Sequence, residues 1–199
     1  MRSRHIVDDF RFVAVDVECA ATGVARNDRS PCRIAAVGED EEELMDVVVR
    51  VPGLSDPLTA LTGLSSREIQ EGMSLDSALA MLRPHLGRGT VIVGQSIQKD
   101  IKWLSLVEGA DFEGYVDLAE KFSFTRRGKL VKHSLRNTAF GLLHIDMKAE
   151  HHCPVEDARI SMRLFNRFIN VQQGTGVLHE AARKLKDMKY SGAFDAVPR

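Results

Sequence analysis

Five polar residues stand where their types and spacing could do chemistry. Asp16 and Glu18 lie one residue apart near the end of the apolar run "RFVAVDVECAATG", residues 11–23. In a strand, positions i and i+2 share a face, so the two carboxylates project together. Two adjacent anions repel, and burial sharpens the conflict. A divalent cation resolves it, because hard ions such as Mg²⁺ take carboxylate oxygens and offset their charge. The structural alternative is a strand that stops at Val15 and leaves both acids in water. In "VGQSIQKDIKWL", Ile97, Ile101 and Leu104 mark an apolar helical face, and Asp100 falls on or beside it. A carboxylate there needs a partner or a metal. In "HHCPVEDAR", Asp157 opens a helix and aligns with Ser161, Leu164 and Phe168 on its inward side; stabilising the helix N-terminus is its alternative role. His152 stands five residues before Asp157, ahead of the helix, and an imidazole there suits a general base near neutral pH.

These residues need a scaffold. Short runs rich in Val and Ala at 11–17, 33–38 and 44–51 predict three strands separated by turn residues. The acidic turn 39–43 between the second and third reads as a solvated hairpin tip. Pro52, Gly53 and Pro57 mark a loop. From there the apolar period changes from two to 3.6. A helix is predicted over 74–86, capped by Ser74, then a strand over 90–94, a helix over 97–107, a strand over 114–119, and helices over 134–143 and 154–171. Strands followed by alternating helix and strand predict an α/β protein with a mixed sheet flanked by helices. Residues 1–171 read as one domain. Residues 172–199 read as a C-terminal appendage, partly helical and basic.

The bulk properties narrow the function classes. The 199 residues are 44% hydrophobic and 28% charged, with a net charge of −1, so a nucleic-acid site would have to be a local patch. The segment 121–136 is such a patch, with six basic residues including Arg126 and Arg127, no acid, and Phe122 and Phe124 among them. Three scattered cysteines fit free thiols in a reducing compartment. No apolar run reaches the roughly 20 residues of a membrane span, and the first ten residues do not read as a signal peptide. The expectation is an intracellular protein, nuclear or cytoplasmic.

Taken in order, D-x-E on a first strand, Asp in a helix after "VGQ", and H-x-x-x-x-D opening a late helix resemble the DEDDh exonucleases, the DnaQ-like superfamily. The blocks "VDVECAATGVARNDRSPCRIAAV", "LTGLSSREIQEG", "VIVGQSIQKDIKWL", "SLRNTAFGLLHI" and "HHCPVEDARISMRLF" look like those of eukaryotic Rex-type RNA exonucleases and plant small-RNA-degrading nucleases, over roughly residues 11–170. Val17, Cys19 and Gln95 depart from residues common in the Rex-type enzymes. The related Tyr-dependent branch has Tyr four residues before the last Asp; here that position is Cys153.

The resemblance implies an RNase H-like fold with a five-stranded mixed sheet, and 3′→5′ exoribonuclease activity releasing nucleoside 5′-monophosphates. It implies two divalent ions, Mg²⁺ or Mn²⁺, with Asp16, Glu18, Asp100 and Asp157 as ligands and His152 as general base. It places Cys19, Ala20 and Ala21 against the terminal nucleotide of a single-stranded RNA 3′ end, with Thr62 and Leu64 near the terminal base and Gln95 nearby. Arg126 and Arg127 would track phosphates, and Trp103 is a weaker stacking candidate. Single-stranded DNA is the alternative substrate, and an inactive nucleic-acid-binding module the remote one.

Overall fold

The computed structural model describes residues 10–147, 152–170 and 175–190. Its centre is a five-stranded mixed sheet in the order β3-β2-β1-β4-β5. The strands are β1 (Arg11–Ala21), β2 (Arg29–Val37), β3 (Glu43–Val48), β4 (Gly87–Gly94) and β5 (Phe112–Asp117). β1, β2 and β3 form an antiparallel meander, whereas β4 and β5 run parallel to β1. The helices are α1 (Thr59–Thr62), α2 (Ser66–Glu71), α3 (Leu75–Leu82), α4 (Gln98–Trp103), α5 (Leu118–Lys121), α6 (Leu135–Leu143), α7 (Pro154–Phe168) and α8 (Thr175–Tyr190). A separate hairpin pairs β6 (Phe124–Arg126) with β7 (Lys129–Val131).

Alternation along β1 divides the core. Val13, Val15, Val17 and Cys19 pack on one face with Leu79 and Leu82 of α3 and with Ile97 and Leu104 flanking α4. Ala14 belongs to the other face, where Ala158, Met162 and Phe165 of α7 and Leu142 of α6 close the second layer. Both faces are covered, as in a central strand of a three-layer α/β protein.

Several boundaries differ from the sequence expectation. β1 does not stop at Val15; it continues through both acids to Ala21, because β2 pairs with it along that whole length. α3 ends at Leu82, followed by a 3₁₀ turn containing Pro84, which cannot continue the hydrogen-bond ladder. α4 ends at Trp103, and Ser105 takes a positive φ just beyond it. α1 and α2 lie between the expected loop at Pro52–Pro57 and the expected helix at 74–86, where no helix was expected. Ser65 and Glu68 form a capping box for α2, a signal visible as S-x-x-E in the sequence. Part of the basic stretch 121–136 folds as the β6–β7 hairpin, turning at Arg127–Gly128, both at positive φ.

The acidic turn 39–43 is not a free hairpin tip. The Glu41 carboxylate pairs with the Arg163 guanidinium of α7, and the Arg159 Nε donates to the Glu41 carbonyl at 3.1 Å. Asn166 donates to the Glu39 carbonyl at 2.8 Å. The turn therefore fastens the β2–β3 connection to the helix that carries Asp157. α8 packs through Ala181 and Leu185, both in the cluster shared with α6 and α7. A Cβ at Gly141 would lie 2.7 Å from the Leu185 side chain, so the glycine permits this close approach. No helix among the described residues is long and apolar enough to cross a membrane. Residues 1–9, 148–151, 171–174 and 191–199, including His151 and the ends of the C-terminal stretch, lie outside the described residues.

Candidate active site

The parallel pairing of β1 with β4 ends at Ala14 and Val93, so the second half of β1 has a strand neighbour on one side only. Asp16 and Glu18 sit on this half-paired stretch. On the β2 side the register shifts between Glu18 and Cys19, where Glu18 faces Arg33 and Cys19 faces Pro31. Pro31 offers no N–H to the ladder, and a bulge accommodates that loss while turning the strand locally. The Cys32 thiol donates to the Glu18 carbonyl at 3.3 Å within the shift.

Asp100 reaches the site from the first turn of α4. Gly94 makes the approach possible: a Cβ there would lie 2.7 Å from Ile97 and 3.0 Å from the Val15 carbonyl oxygen. Ile97 and Leu104 are fully buried on the apolar face, and Asp100 beside them is buried as the helical spacing predicts. Backbone N–H groups of Val17 and of Asp100 itself meet its carboxylate. The half-paired edge of β1 thus supplies a donor to the acid on the neighbouring helix.

Asp157 and His152 come from the start of α7. Pro154 is the first helical residue, and Cys153 before it is extended, as a residue preceding proline prefers. The helix therefore starts only after His152, whose ring lies outside it. The His152 Nδ1 lies 3.1 Å from an Asp157 carboxylate oxygen. The backbone N–H of His152 donates to the Leu61 carbonyl at 2.8 Å, so α1 fixes the height of the histidine. Glu18, Asp157 and His152 each offer one ligand atom, and these atoms all lie within 4.8 Å of one another. His152 joins this group although the sequence suggested a base rather than a ligand, and Asp16 falls outside that radius.

Electrostatics joins Asp16 and Asp100 to the same cluster. The Asp16 carboxyl is held well above its ordinary value, first by burial and then by the charges of Asp100, Asp157 and Glu18. Burial pushes Glu18 up to about 6, against the pull of His152. Burial pushes Asp100 up to about 7, although its backbone donors pull it down. The hydrogen bond to Asp157 raises His152, against partial burial. Crowded, dry carboxylates with elevated pKa values are an all-oxygen donor set short of positive charge, which is the set a hard divalent ion accepts.

The other expected residues divide. Ala20, Ala21 and Cys19 are buried in side chain, and their backbone continues the β1 edge beside Glu18, with the Ala21 N–H bound to the Asp56 carbonyl at 2.8 Å. Thr62 is fully buried, and its hydroxyl bonds the Pro57 carbonyl at 3.0 Å. Leu64 packs with Ala20, Cys32, Val51 and Ile69. Both side chains build the turn instead of facing outward; the exposed apolar residue there is Leu61, which the sequence reading missed. The Gln95 amide nitrogen donates to the His133 carbonyl at 2.7 Å, tying the end of β4 to the entrance of α6. Arg126 and Arg127 are exposed on the hairpin. Leu61, Val17, Glu18 and Cys19 border an open cleft of about 610 Å³ at the end of β1.

No protein-family model matches the chain. It is similar to RNA exonuclease 4 of Neurospora crassa, at 27% identity over 158 residues, 79% of this chain and 38% of that protein. Human RNA exonuclease 4 is 24% identical over 156 residues, 78% of this chain and 36% of the relative. The catalytic subunit PAN2 of the PAN2-PAN3 deadenylation complex of Gallus gallus is 25% identical over 152 residues, 76% of this chain and 12% of that protein. The chain therefore spans less than half the length of these relatives. Among solved structures, the Saccharomyces cerevisiae Pan2 pseudoubiquitin hydrolase-RNA exonuclease module in complex with A7 RNA matches with a TM-score of 0.76 at 18% identity, covering 96% of this chain and 33% of that one. The Neurospora crassa Pan2 catalytic unit matches with a TM-score of 0.62 at 18% identity, covering 99% of this chain and 30% of that one. The structural likeness establishes an RNase H-like fold. The sequence similarity runs over more than three quarters of the chain and is to proteins named RNA exonucleases.

Proposed function

We propose that the chain is a metal-dependent 3′→5′ exoribonuclease that releases nucleoside 5′-monophosphates. The observation that carries this reading is the convergence of Glu18, Asp157 and His152 within 4.8 Å, with Asp16 and Asp100 raising the charge density of the same cluster. Asp16, Glu18, Asp100 and Asp157 are the residues that would hold two divalent ions, Mg²⁺ or Mn²⁺. When bound, such ions offset the carboxylate charge, acidify the attacking water and stabilise the leaving oxygen.

The protein groups have separate tasks. His152 takes the proton from the attacking water, through Nε2, because Asp157 engages Nδ1. The water oxygen bonds to the terminal phosphorus, and the bond from phosphorus to the 3′ oxygen of the preceding nucleotide breaks. That oxygen takes a proton from solvent water and ends as the new 3′-hydroxyl. Asp157 orients the imidazole, and the hydrogen bond from the His152 backbone to Leu61 keeps it from turning away. The β1 edge at Cys19–Ala21 receives the terminal nucleotide, and Arg126 and Arg127 attract the phosphates behind it.

The test is metal dependence with product identification. Protein stripped with EDTA should leave single-stranded RNA intact, and Mg²⁺ or Mn²⁺ should restore release of 5′-monophosphates. A matched DNA strand should be degraded more slowly. Full activity after metal stripping would overturn the mechanism, and faster DNA turnover would reverse the substrate assignment.

A further inference from the structure

The cleft at the end of β1 has two more walls. One is the β1–β2 connection with Arg26, Asn27 and Arg29; the other is α4 with Lys99, Lys102 and Trp103. Arg26, Lys99 and Lys102 are exposed and make no ion pair among the described residues. Among the described residues, the Arg29 guanidinium bonds a backbone carbonyl alone, that of Asp28, at 3.3 Å. After α5, by contrast, Lys132 lies 3.4 Å from Glu120, and Arg136 lies 3.4 Å from Asp146. Trp103 is half-buried, packed against the core on one side and bordering the cleft on the other. The cleft volume lies in the range of about 300–1,000 Å³ of small-ligand sites. Glu18 forms part of its lining.

We infer that this cleft is the main strand-binding subsite, where the Trp103 indole stacks on a base of single-stranded nucleic acid and the two cationic walls clamp its phosphates. α4 carries both the stacking plate and Asp100, so base contact and the acid cluster are held in one register. The polyanion gains four cations lining the cleft and releases their counterions. Stacking tolerates any base, so the subsite contributes affinity with little sequence preference. The inference rests on the nuclease reading for its substrate class, but its test does not depend on turnover.

Trp103 is the chain's single tryptophan, so its fluorescence reports the cleft alone. The full chain is titrated in EDTA with a fluorescein-labelled single-stranded RNA. Anisotropy follows binding independently of the indole. Saturable quenching should parallel the anisotropy rise. Lys99→Ala with Lys102→Ala should lower the slope of log Kd against log salt by about 1.4, at about 0.7 for each lost single-strand phosphate contact. Trp103→Leu should weaken binding about 5- to 150-fold, the range of a lost base stack. Trp103→Phe should restore much of it, which loss of core packing alone would not explain if both variants share one melting temperature. Lys184→Ala, on α8, should bind like the parent. RNA that binds without quenching, or binds the double lysine variant with unchanged salt slope, overturns the subsite and leaves the exonuclease reading standing. RNA that is bound with quenching but never cleaved in Mg²⁺ keeps the subsite and overturns the exonuclease reading. Failure to bind or cleave removes both.

Discussion

At single residues, buried charge dominates the site. Glu18 and Asp100 are held at about 6 and about 7, above ordinary values of 4.5 and 3.8. A carboxyl whose folded pKa exceeds its unfolded value binds its proton more tightly in the native state. Its stabilising contribution is complete below about pH 4 and is lost as pH rises through the folded pKa. The raised His152 acts in the same direction. In EDTA, the melting temperature should therefore fall between pH 5 and pH 8, and Glu18→Gln should shrink that fall. Adding Mg²⁺ should raise the melting temperature more at pH 8 than at pH 5, since protons no longer compete for the carboxylates. A pH-independent melting temperature in EDTA would contradict the buried cluster. Asp16→Asn or Asp157→Asn should remove nearly all turnover in a folded protein. His152→Ala should reduce kcat by about 10²–10⁴-fold, the usual worth of a general base. His151→Ala should stay within a few-fold, as single-turnover rates would show. Exchange of those two phenotypes would mean that the register of the base is wrong by one position.

At the scale of elements, the sequence was legible where one physical rule dominated. The apolar alternation of 11–17 located β1, and the 3.6 period of 154–171 located α7. The inward position of Asp100 followed from Ile97 and Leu104, and the helix bears it out. What the sequence hid depends on contacts distant in the chain. β1 runs on through its acids because β2 holds it. α1 is four residues long, too short for periodicity, yet it anchors His152 through Leu61. Thr62 and Leu64 lie in a turn whose inward side no local pattern reveals. The acidic turn looked solvated until α7 supplied Arg159 and Arg163. Two predictions belong to this scale. Leu185 of α8 is fully buried, so Leu185→Ala should destabilise the fold by about 2–5 kcal/mol, measured by urea unfolding, with kcat of the remaining folded fraction unchanged. Arg126→Ala with Arg127→Ala should raise KM and flatten its salt dependence while leaving kcat much less affected. An unchanged KM across a salt series would make the hairpin an ordinary solvated turn.

At the scale of the whole molecule, the sheet and its two helical layers exist to bring three distant segments to one edge. β1 stops sharing bonds with β4 after Ala14, α4 enters across Gly94, and α7 begins where Pro154 forces it to. Four acids and a histidine then meet beside the cleft at the end of β1. The proposed exonuclease acts there on a strand terminus. The measurement that tests this most directly is the fate of one RNA labelled at its 5′ end, compared with the same RNA labelled at its 3′ end and with a circular form, in Mg²⁺. The account predicts a ladder shortening one nucleotide at a time from the 5′-labelled strand, immediate release of labelled mononucleotide from the 3′-labelled strand, and an intact circle. A circle cut as fast as the linear RNA, or mononucleotide released first from the 5′-labelled end, would contradict it.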